Sequence, residues 1–337
     1  MKGQQCFGGW MSMMLCVALV GSLGITVPAA AETYTSGLVN YFGGIPFAVA
    51  QEKGFYSAEG ASILQRFYTS TEWYQALLNK KNDMIMVWSG SGLDLLLDGH
   101  PYVIVGAIHQ DAGGVRMVIK QGTNPEEISR IGIPNDDATW KWVGWKYLQE
   151  AGQSLEGKRF ITLTLEELTA NFLNGRLPAV ATVWSQDAET MVADGDGEIV
   201  FSNEDYPDTF LIVVAFEKER YAAMPKDDLK AFWRGIIAAL EWINVPENLT
   251  ECRTLLAEGS AREIVTGIET DEAFAEQLAN HKYFRRDELQ QVNAALRNTM
   301  QGLLDFRKEV LGMDIQDFNL EEWVDTSVLL EVLSEMP

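Results

Sequence analysis

Residue types that many catalytic and metal sites require are scarce in this sequence of 337 residues. It has three cysteines and three histidines, and His100, His109 and His281 are scattered along the chain. It contains no H-E-x-x-H motif, no G-x-S-x-G nucleophile turn, no P-loop and no G-x-G-x-x-G fingerprint. We therefore predict no catalytic residue, no metal site and no cofactor.

Positive charge is also scarce, because 26 Lys and Arg residues face 48 Asp and Glu residues and leave a formal charge of −22. Nucleic-acid phosphates would be repelled by such a chain, so we expect no nucleic-acid partner. The acidity itself is compatible with simple solubility. The stretch "DGDGE" resembles a calcium-loop fragment, but it lacks the rest of an EF-hand loop and indicates a surface turn.

Long apolar runs are absent beyond the first 31 residues. There, Lys2 is the only charge, an apolar run covers Met11–Val27, and "VPAAAE" places small residues before a cut after Ala31. This order is typical of a cleavable secretory signal. A retained anchor needs about 20 apolar residues, and Gly21 and Gly24 interrupt this shorter run. We predict a signal peptide over residues 1–31.

Cleavage after residue 31 would remove two of the three cysteines and leave Cys252 alone. One thiol cannot form an internal disulfide, so export here implies no disulfide framework. No histidine lies near it in the sequence, so we interpret Cys252 as a structural residue.

Short apolar runs alternate with helical segments from Tyr34 to about Phe216, which predicts an α/β fold with a mostly parallel sheet. After about Lys226 the pattern is nearly all helical, and no Ser/Pro/Gly-rich linker precedes it, so we expect these helices to wrap the sheet domain. The predicted strands are "ETYTSGLV", "ASILQRFY", "DMIMVW", "YVIVGAI", "RMVIK", "RIGIP", "FITLTL", "AVATVW" and "EIVF". The predicted helices are "IPFAVAQEKG", "STEWYQALLN", "SGLDLLLDG", "DATWKWVGWKYLQEAG" and "LEELTANFLNG".

Two stretches share one plan: "ALLNKKNDMIMVWS" (Ala76–Ser89) and "NFLNGRLPAVATVWS" (Asn171–Ser185). Each has a helix ending in Leu-Asn, a basic turn, an apolar strand and then Trp-Ser. Either this is chance, or the chain has two similar α/β lobes with a tryptophan at a strand end. Ligands of open α/β sheets collect at those ends, so two facing lobes would hold a ligand between Trp88 and Trp184.

Five segments, which follow one another in the same order and at similar spacing, resemble periplasmic substrate-binding proteins of the nitrate, sulfonate, taurine and pyrimidine-precursor class. "VNYFGGIPFAVAQEKGFYSAEG" is similar to the family's opening, with its Pro-containing turn and A-x-E-K-G-[YF]-[YF] helix end. "ALLNKKNDM" resembles its helix-to-strand turn, with Lys80 where Gly is usual, and "FLNGRLPAVATVW" has Pro178 where Asp is usual. "ISRIGIPNDDATWKWVGWKYLQEAG" is similar to the entry into the second lobe, and "EEWVDTSVLLEVL" to the closing segment.

The resemblance implies a two-lobed α/β fold of the type II periplasmic binding proteins, each lobe a mostly parallel sheet flanked by helices, with a helical C-terminal segment. It places lobe 1 in residues 32–115, lobe 2 in 116–212, and the return to lobe 1 with the C-terminal helices in 213–337. We expect the strands that cross between lobes near Gly113–Val118 and Phe210–Ala215. The implied partners are a small solute and an inner-membrane ABC permease with its ATPase. The implied protein is periplasmic, is expected to be a monomer, and is not an enzyme.

Strand ends and helix N-termini are where ligands bind in this fold class. By chain order these positions are Asn40, Tyr41, Phe42, Ser70, Thr71, Trp73, Trp88, Ser89, Gln110, Asp111, Asp136, Thr139, Trp140, Trp184, Gln186 and Asp187.

The stretch "IPNDDATWKW" puts Asp136 and Asp137 at a predicted helix N-terminus, an end that favours anions. One interpretation is simple helix capping. The other is that a carboxylate, together with Asp111 or Asp187, faces the cleft and selects a cationic, amine- or amidine-bearing solute stacked on Trp and Tyr rings. The second interpretation would disfavour sulfonates.

Helical spacing places Trp140 on one stripe with Val143 and Gly144, which predicts a core position. Trp142 and Trp145 fall on the opposite side, so they meet another element or face a partner.

Two other functions stay open from the sequence. A solute-binding protein of this fold can report to a membrane sensor instead of a permease. A pyrimidine-related enzyme on the same fold is the second alternative.

Overall fold

A computed structural model of the protein describes residues 32–39, 42–68, 70–182, 185–206, 208–259 and 268–336. The predicted signal peptide lies outside these ranges. None of the helices within them has both the length and the apolar character to cross a membrane.

The first sheet has six strands in the order β11-β4-β10-β3-β1-β2, and four of them run in the same direction. β1 pairs in parallel with both β2 and β3, while β10 lies antiparallel between β3 and β4. The central strands β3, β4 and β10 are buried along almost their whole length, because helices cover both faces of such a sheet. The strands are β1 (Thr33–Val39), β2 (Ser62–Tyr68), β3 (Met84–Trp88), β4 (Tyr102–Asp111), β10 (Leu211–Glu217) and β11 (His281–Tyr283).

The second sheet has five strands in the order β7-β6-β8-β5-β9, and four of these share one direction. β6 pairs in parallel with β7 and β8, whereas β5 is antiparallel to β8 and β9. The strands are β5 (Arg116–Lys120), β6 (Arg130–Ile133), β7 (Arg159–Thr162), β8 (Ala179–Thr182) and β9 (Gly197–Ser202).

Helices follow most strands and pack on both sheets. The first seven are α1 (Ile45–Glu52), α2 (Phe55–Ala58), α3 (Ser70–Leu78), α4 (Ser89–Leu97), α5 (Ala138–Glu150), α6 (Leu165–Leu173) and α7 (Ser185–Gly195). The others are α8 (Lys218–Ala223), α9 (Lys226–Ile243), α10 (Leu249–Glu258), α11 (Asp271–Ala279), α12 (Arg286–Asp305) and α13 (Ser327–Glu335).

The chain passes between the sheets twice, from Asp111 to Arg116 and from Ser202 to Leu211. The expected first crossing, residues 113–118, therefore ends inside β5, and the expected second crossing, residues 210–215, lies mostly within β10. The lobe boundaries after residues 115 and 212 stay predictions. Asn203 is fully buried and joins the two passages. Its Oδ1 accepts hydrogen bonds from the backbone N–H groups of Gly113 and Val115 at 2.8 and 3.1 Å, and its Nδ2 donates to the carbonyl of Asp111.

The C-terminal helices wrap the first sheet, as expected from the missing linker. α9 packs on α1 and α2, and α13 packs on α9 and β4. Asn293 of α12 accepts from the backbone N–H of Ala107 at 2.7 Å and donates back to its carbonyl at 2.9 Å, where the pairing of β4 with β10 shifts register. Val324 adds an isolated bridge to Ile104.

Three details differ from the sequence prediction. The predicted strand "FITLTL" is too long, because β7 ends at Thr162 and Thr164 caps α6 with a capping box that includes Glu167. Helix α7 was not predicted, and β11 interrupts the region expected to be nearly all helical.

Candidate functional site

A cavity of about 720 Å³ lies where helices of the two sheets meet, and we call it the cleft cavity. α3 and α4 follow strands of the first sheet, and α5 follows β6 of the second. Among the residues that the structure describes, four carboxylates and one cation, Lys141, line the cavity. The lining residues are Trp73, Val87, Ser91, Asp94, Leu95, Leu97, Asp98, Asn135, Asp136, Asp137, Ala138, Lys141, Leu311 and Met313.

The N-termini of α4 and α5 touch at one wall of the cleft cavity. Asp137 is the N-cap of α5, because its Oδ1 accepts a hydrogen bond from the backbone N–H of Thr139 at 2.7 Å. Its other oxygen accepts from the Ser91 hydroxyl of α4 at 2.5 Å. One carboxylate therefore caps its own helix and joins the helices of two different sheets.

Gly90 of α4 allows the N-termini of α4 and α5 to come this close. A Cβ on Gly90 would lie 2.1 Å from Oγ1 of Thr139, which no real side chain tolerates. Thr139 is buried, and its Oγ1 makes no hydrogen bond to the residues that the structure describes. Thr139 was predicted as a ligand contact, and in the structure it packs at the junction of α4 and α5.

Arg307 enters the same junction from the C-terminal segment, where the helix widens to a π-helix over Phe306–Val310. Its fully buried guanidinium donates to Oδ1 of Asp94 at 2.5 Å and to the carbonyl of Gly90 at 2.9 Å. Burial raises the pKa of Asp94 to about 6, and the nearby Asp137 carboxylate also raises it, while Arg307 opposes both effects. Asp94 therefore gains a proton far more readily than an exposed aspartate.

The tryptophans singled out in the sequence pack against different elements. Trp88, at the end of β3, makes an edge contact with the buried Trp140 of α5, with ring centroids 5.3 Å apart. Trp140 is thus in the core, as its helical stripe indicated. Trp142 packs on Phe210 of the second passage at 5.7 Å, and Trp145 packs on Phe306 at 5.0 Å. Both therefore meet other elements, which was one of the two expectations for them.

Two predicted contacts lie at the end of β4. Gln110 and Asp111 are buried there, and Asp111 pairs with His281 of β11. Phe42 is also buried, with its ring stacked on His281 at 5.2 Å and its carbonyl accepting from the Tyr283 hydroxyl at 2.7 Å. The Phe42 ring is therefore part of the packing between the first helical turn and β11.

The remaining described candidates range from exposed to fully buried. Asp136 is exposed and its carboxylate lies 2.8 Å from Nζ of Lys141. Ser89 is buried and donates to the carbonyl of Thr209 at 2.9 Å. Asp187 lies in the first turn of α7. Burial is the main cause that raises the pKa of its carboxyl, and the nearby charge of Glu166 adds to it.

Six of the predicted contacts have side chains outside the described part of the structure. Asn40, Tyr41 and Trp184 lie outside the described residues. Ser70 and Thr71 in the first turn of α3, and Gln186 in the first turn of α7, have side chains outside the described part of the structure. Of the predicted set, the cleft cavity brings together Trp73 and Asp136.

The sequence prediction missed Ser91, Asp94 and Arg307. Asp94 left a signal, because it is the one charge in the apolar helix "SGSGLDLLL", and a buried charge requires a partner. Its partner Arg307 lies 213 positions away in the chain, and no local pattern marks it. In the described residues, no group of three or more His, Cys, Asp and Glu side chains is arranged to hold a metal ion.

No protein-family model and no curated protein sequence matches this chain. Solved structures do match. The ligand-binding component of an ABC-type import system from Staphylococcus aureus, with zinc bound, has a TM-score of 0.64 at 13% identity and covers 89% of this chain and 99% of its own. The periplasmic aliphatic sulphonate binding protein SsuA from Escherichia coli has a TM-score of 0.62 at 13% identity, covering 87% and 91%. The periplasmic nitrate-binding protein NrtA from Synechocystis PCC 6803 has a TM-score of 0.55 at 15% identity, covering 91% and 89%.

Likeness at this level of identity establishes the fold. It agrees with the observed pair of mixed sheets, each flanked by helices and joined by two chain passages. The chain therefore has the two-lobed α/β fold of the periplasmic substrate-binding proteins, as its sequence motifs indicated.

Proposed function

We propose that this protein is the periplasmic solute-binding component of an ABC importer and captures a small solute between its two lobes by hinge closure. The observation that carries the proposal is the cleft cavity, which has walls from helices of both sheets. A solute that contacts both walls favours the conformation in which they are close. The neighbours of the same fold, which are named as binding components for import, sulphonate and nitrate, support this assignment.

We further propose that the solute is cationic or a neutral nitrogenous compound rather than an anion. Asp94, Asp98, Asp136 and Asp137 line the cleft cavity. Lys141, the one cation among the described lining residues, already pairs with Asp136. The N-terminus of α5, which would otherwise attract an anion, is occupied by the Asp137 carboxylate. Trp73 supplies an aromatic wall on which a cation or a heterocycle would stack.

A thermal-shift screen tests both parts of the proposal. The panel sets amines, amidines and pyrimidines against taurine, alkanesulfonates and nitrate. A solute at 100 times its Kd stabilises the folded protein by about 2.7 kcal/mol, which raises the Tm by several degrees. We expect a rise only with cationic or neutral nitrogenous compounds.

Matched tryptophan variants locate the binding site of any hit. Trp73→Leu removes an aromatic wall of the cleft cavity, so the Tm rise should shrink markedly in this variant. Trp242→Leu is the control, because Trp242 is also half-buried but packs under Lys53 outside the cavity. A rise with sulfonate or nitrate alone would contradict the proposed solute class. A hit unaffected by Trp73→Leu would place binding elsewhere.

The proposed periplasmic location rests on the predicted signal peptide, residues 1–31, and not on the cleft cavity. If residues 1–31 are a signal peptide, protein exported by a host cell should begin at Glu32. N-terminal sequencing of the exported protein measures this directly. An uncleaved N-terminus, or protein retained in the cytoplasm, would contradict the periplasmic assignment.

A further inference from the structure

Two acidic side chains from different sheets face each other where α4 meets α5. Asp94 lies on the second turn of α4, beyond β3 of the first sheet, and Asp137 caps α5 beyond β6 of the second. Both line the cleft cavity. When Asp94 is protonated, the two carboxyls can share a hydrogen bond, whereas two carboxylates at this position repel each other.

We propose that Ser91, Asp94, Asp137 and Arg307 form a proton-linked latch between the two lobes, which holds α4 against α5 when Asp94 carries a proton. A cationic solute would replace the proton and hold the same contact at neutral pH. This second half rests on the proposed function, and the first half does not.

Each member of the latch has a defined part. Ser91 joins α4 to the Asp137 carboxylate directly, at 2.5 Å. Arg307 holds Asp94 in place and also binds the carbonyls of Gly90 and Leu303, at 2.9 and 3.0 Å, so its charge is shared among several acceptors. One guanidinium therefore faces two carboxylates, and the pair retains an excess of negative charge.

Other charged groups lie around the same cavity. Asp98 of α4 and Asp136 before α5 add negative charge, and Lys141 of α5 pairs with Asp136 at 2.8 Å. The groups that face Asp94 itself are Arg307 from the C-terminal segment and Asp137 from α5. The repulsion that a proton relieves is therefore the one between Asp94 and Asp137.

The direction of the pH effect follows from the pKa of Asp94. Burial, and then Asp137, raise this pKa from 3.8 to about 6 while the helices touch. If the lobes separate and Asp94 meets water, its pKa falls back toward the ordinary value of about 3.9. Contact between the helices is therefore linked to proton uptake, so it strengthens as the pH falls from about 6 to about 4 and weakens above that window.

Small-angle X-ray scattering of the purified, solute-free protein between pH 4.5 and 7.5 tests the latch. We expect the radius of gyration of the wild type to be smaller at the acidic end. Asp94→Asn imitates the protonated side chain and should stay compact throughout the range. Asp137→Asn keeps the helix cap, because Asn and Asp cap equally well, but removes the repulsion, so its transition should shift to higher pH and weaken or disappear.

Glu309→Gln is the matched control, since Glu309 is an exposed carboxylate in the same π-helical segment as Arg307 and is not among the residues that line the cleft cavity. It should follow the wild-type profile. A thermal melt of each variant verifies that it is folded. A wild-type radius that does not change with pH, or an Asp137→Asn profile identical to the wild type, would overturn the latch. Because no solute is added, failure of the latch and failure of the solute screen are separate results.

Discussion

Lys80 shows at the scale of one residue how a departure from the family pattern is tolerated. It stands where the motif that the sequence resembles has glycine, and its φ of +49° is in the left-handed region. Gly175 occupies the equivalent place in the second of the two stretches that share one plan, Asn171–Ser185, with a φ of +69°. The two helix ends share the same bonds, from Lys80 N–H to the Leu77 carbonyl at 3.0 Å and from Gly175 N–H to the Phe172 carbonyl at 2.9 Å. The helices of the two stretches therefore end in the same way.

We predict that Lys80→Gly stabilises the protein by about 0.5–1 kcal/mol, because glycine adopts a positive φ without steric cost. Loss of the Lys80–Glu217 pair, at 3.4 Å between a half-exposed lysine and a buried carboxylate, should place the net gain at the lower end of this range. Gly175→Lys should destabilise by about 1 kcal/mol for the same steric reason. Urea denaturation measures both changes.

Lys81→Gly is the control for this prediction. Lys81 is the exposed neighbour of Lys80 and does not have a positive φ. Its replacement should destabilise slightly, because glycine only adds freedom to the unfolded chain. If Lys80→Gly destabilised the protein as much as Lys81→Gly does, backbone strain at residue 80 would not be the explanation.

At the scale of elements, periodicity and capping residues predicted most strands and helices of the first 216 residues. The failures have local physical causes. "FITLTL" is apolar enough for one strand, but Thr164 and Glu167 form a capping box that starts a helix inside it. The acidic helix α7 follows the predicted strand "AVATVW" without a strong apolar stripe. β11 has three residues, too few for a period to show.

The candidate site was less predictable than the fold, because its contacts are long-range. Chain order predicted positions at strand ends and the aspartates before α5, and of the predicted set Trp73 and Asp136 line the cleft cavity. It could not show that Asp137 would bind Ser91 across 46 residues, or that Arg307 would reach Asp94 across 213. Such pairs depend on how the two sheets are placed, which no local pattern determines.

One buried side chain, Asn203, joins the two passages between the sheets. We predict that Asn203→Ala costs at least about 2 kcal/mol, because the N–H groups of Gly113 and Val115 and the carbonyl of Asp111 would lose a buried partner. Asn203→Asp keeps the acceptor but places an oxygen against the Asp111 carbonyl, so it should also destabilise. Chemical denaturation measures the cost.

Asn174→Ala is the control for Asn203. Asn174 is exposed and donates to the Ala170 carbonyl at 2.8 Å, so its loss should cost less than about 0.5 kcal/mol. Equal costs at the two positions would mean that the passages are held by their other contacts. In that case Asn203 could be replaced freely in hinge variants.

At the scale of the whole molecule, two histidines, His109 and His281, are buried in the first sheet. His281 of β11 stacks on Phe42 and so links the C-terminal region to the N-terminal turn. His109 is fully buried between strands of this sheet, and its ring lies 5.6 Å from that of His281. Burial lowers the pKa of His281 to about 3 and holds the pKa of His109 well below its usual range, with His281 as the second cause. Both rings are therefore neutral in the folded protein at neutral pH.

This burial predicts an acid-sensitive fold. In the unfolded chain a histidine takes up a proton near pH 6.5, whereas in the folded protein His281 does so only near pH 3. Below about pH 6.5 the unfolded state therefore binds more protons, and each buried histidine removes about 1.4 kcal/mol of stability per pH unit. The raised pKa values of Asp94 and Asp187 act in the opposite direction, that of Asp94 between about pH 6 and 4.

His281→Phe isolates the contribution of one histidine and keeps the stacking on Phe42. Urea denaturation at several pH values should show that the loss of stability between about pH 6 and 4 is smaller in this variant by about 1.4 kcal/mol per pH unit. His100→Gln, which removes a half-buried histidine before β4, controls for the loss of a histidine as such. If His281→Phe left the slope unchanged, acid stability would depend instead on carboxylates such as Asp83. Burial raises the pKa of Asp83, but the hydrogen bonds from Thr35 and Arg220 outweigh this effect, so the pKa is lowered overall. Protonation of that carboxylate would then release β1 from the chain before β3, and unfolding in acid would begin at the first strand rather than at β11.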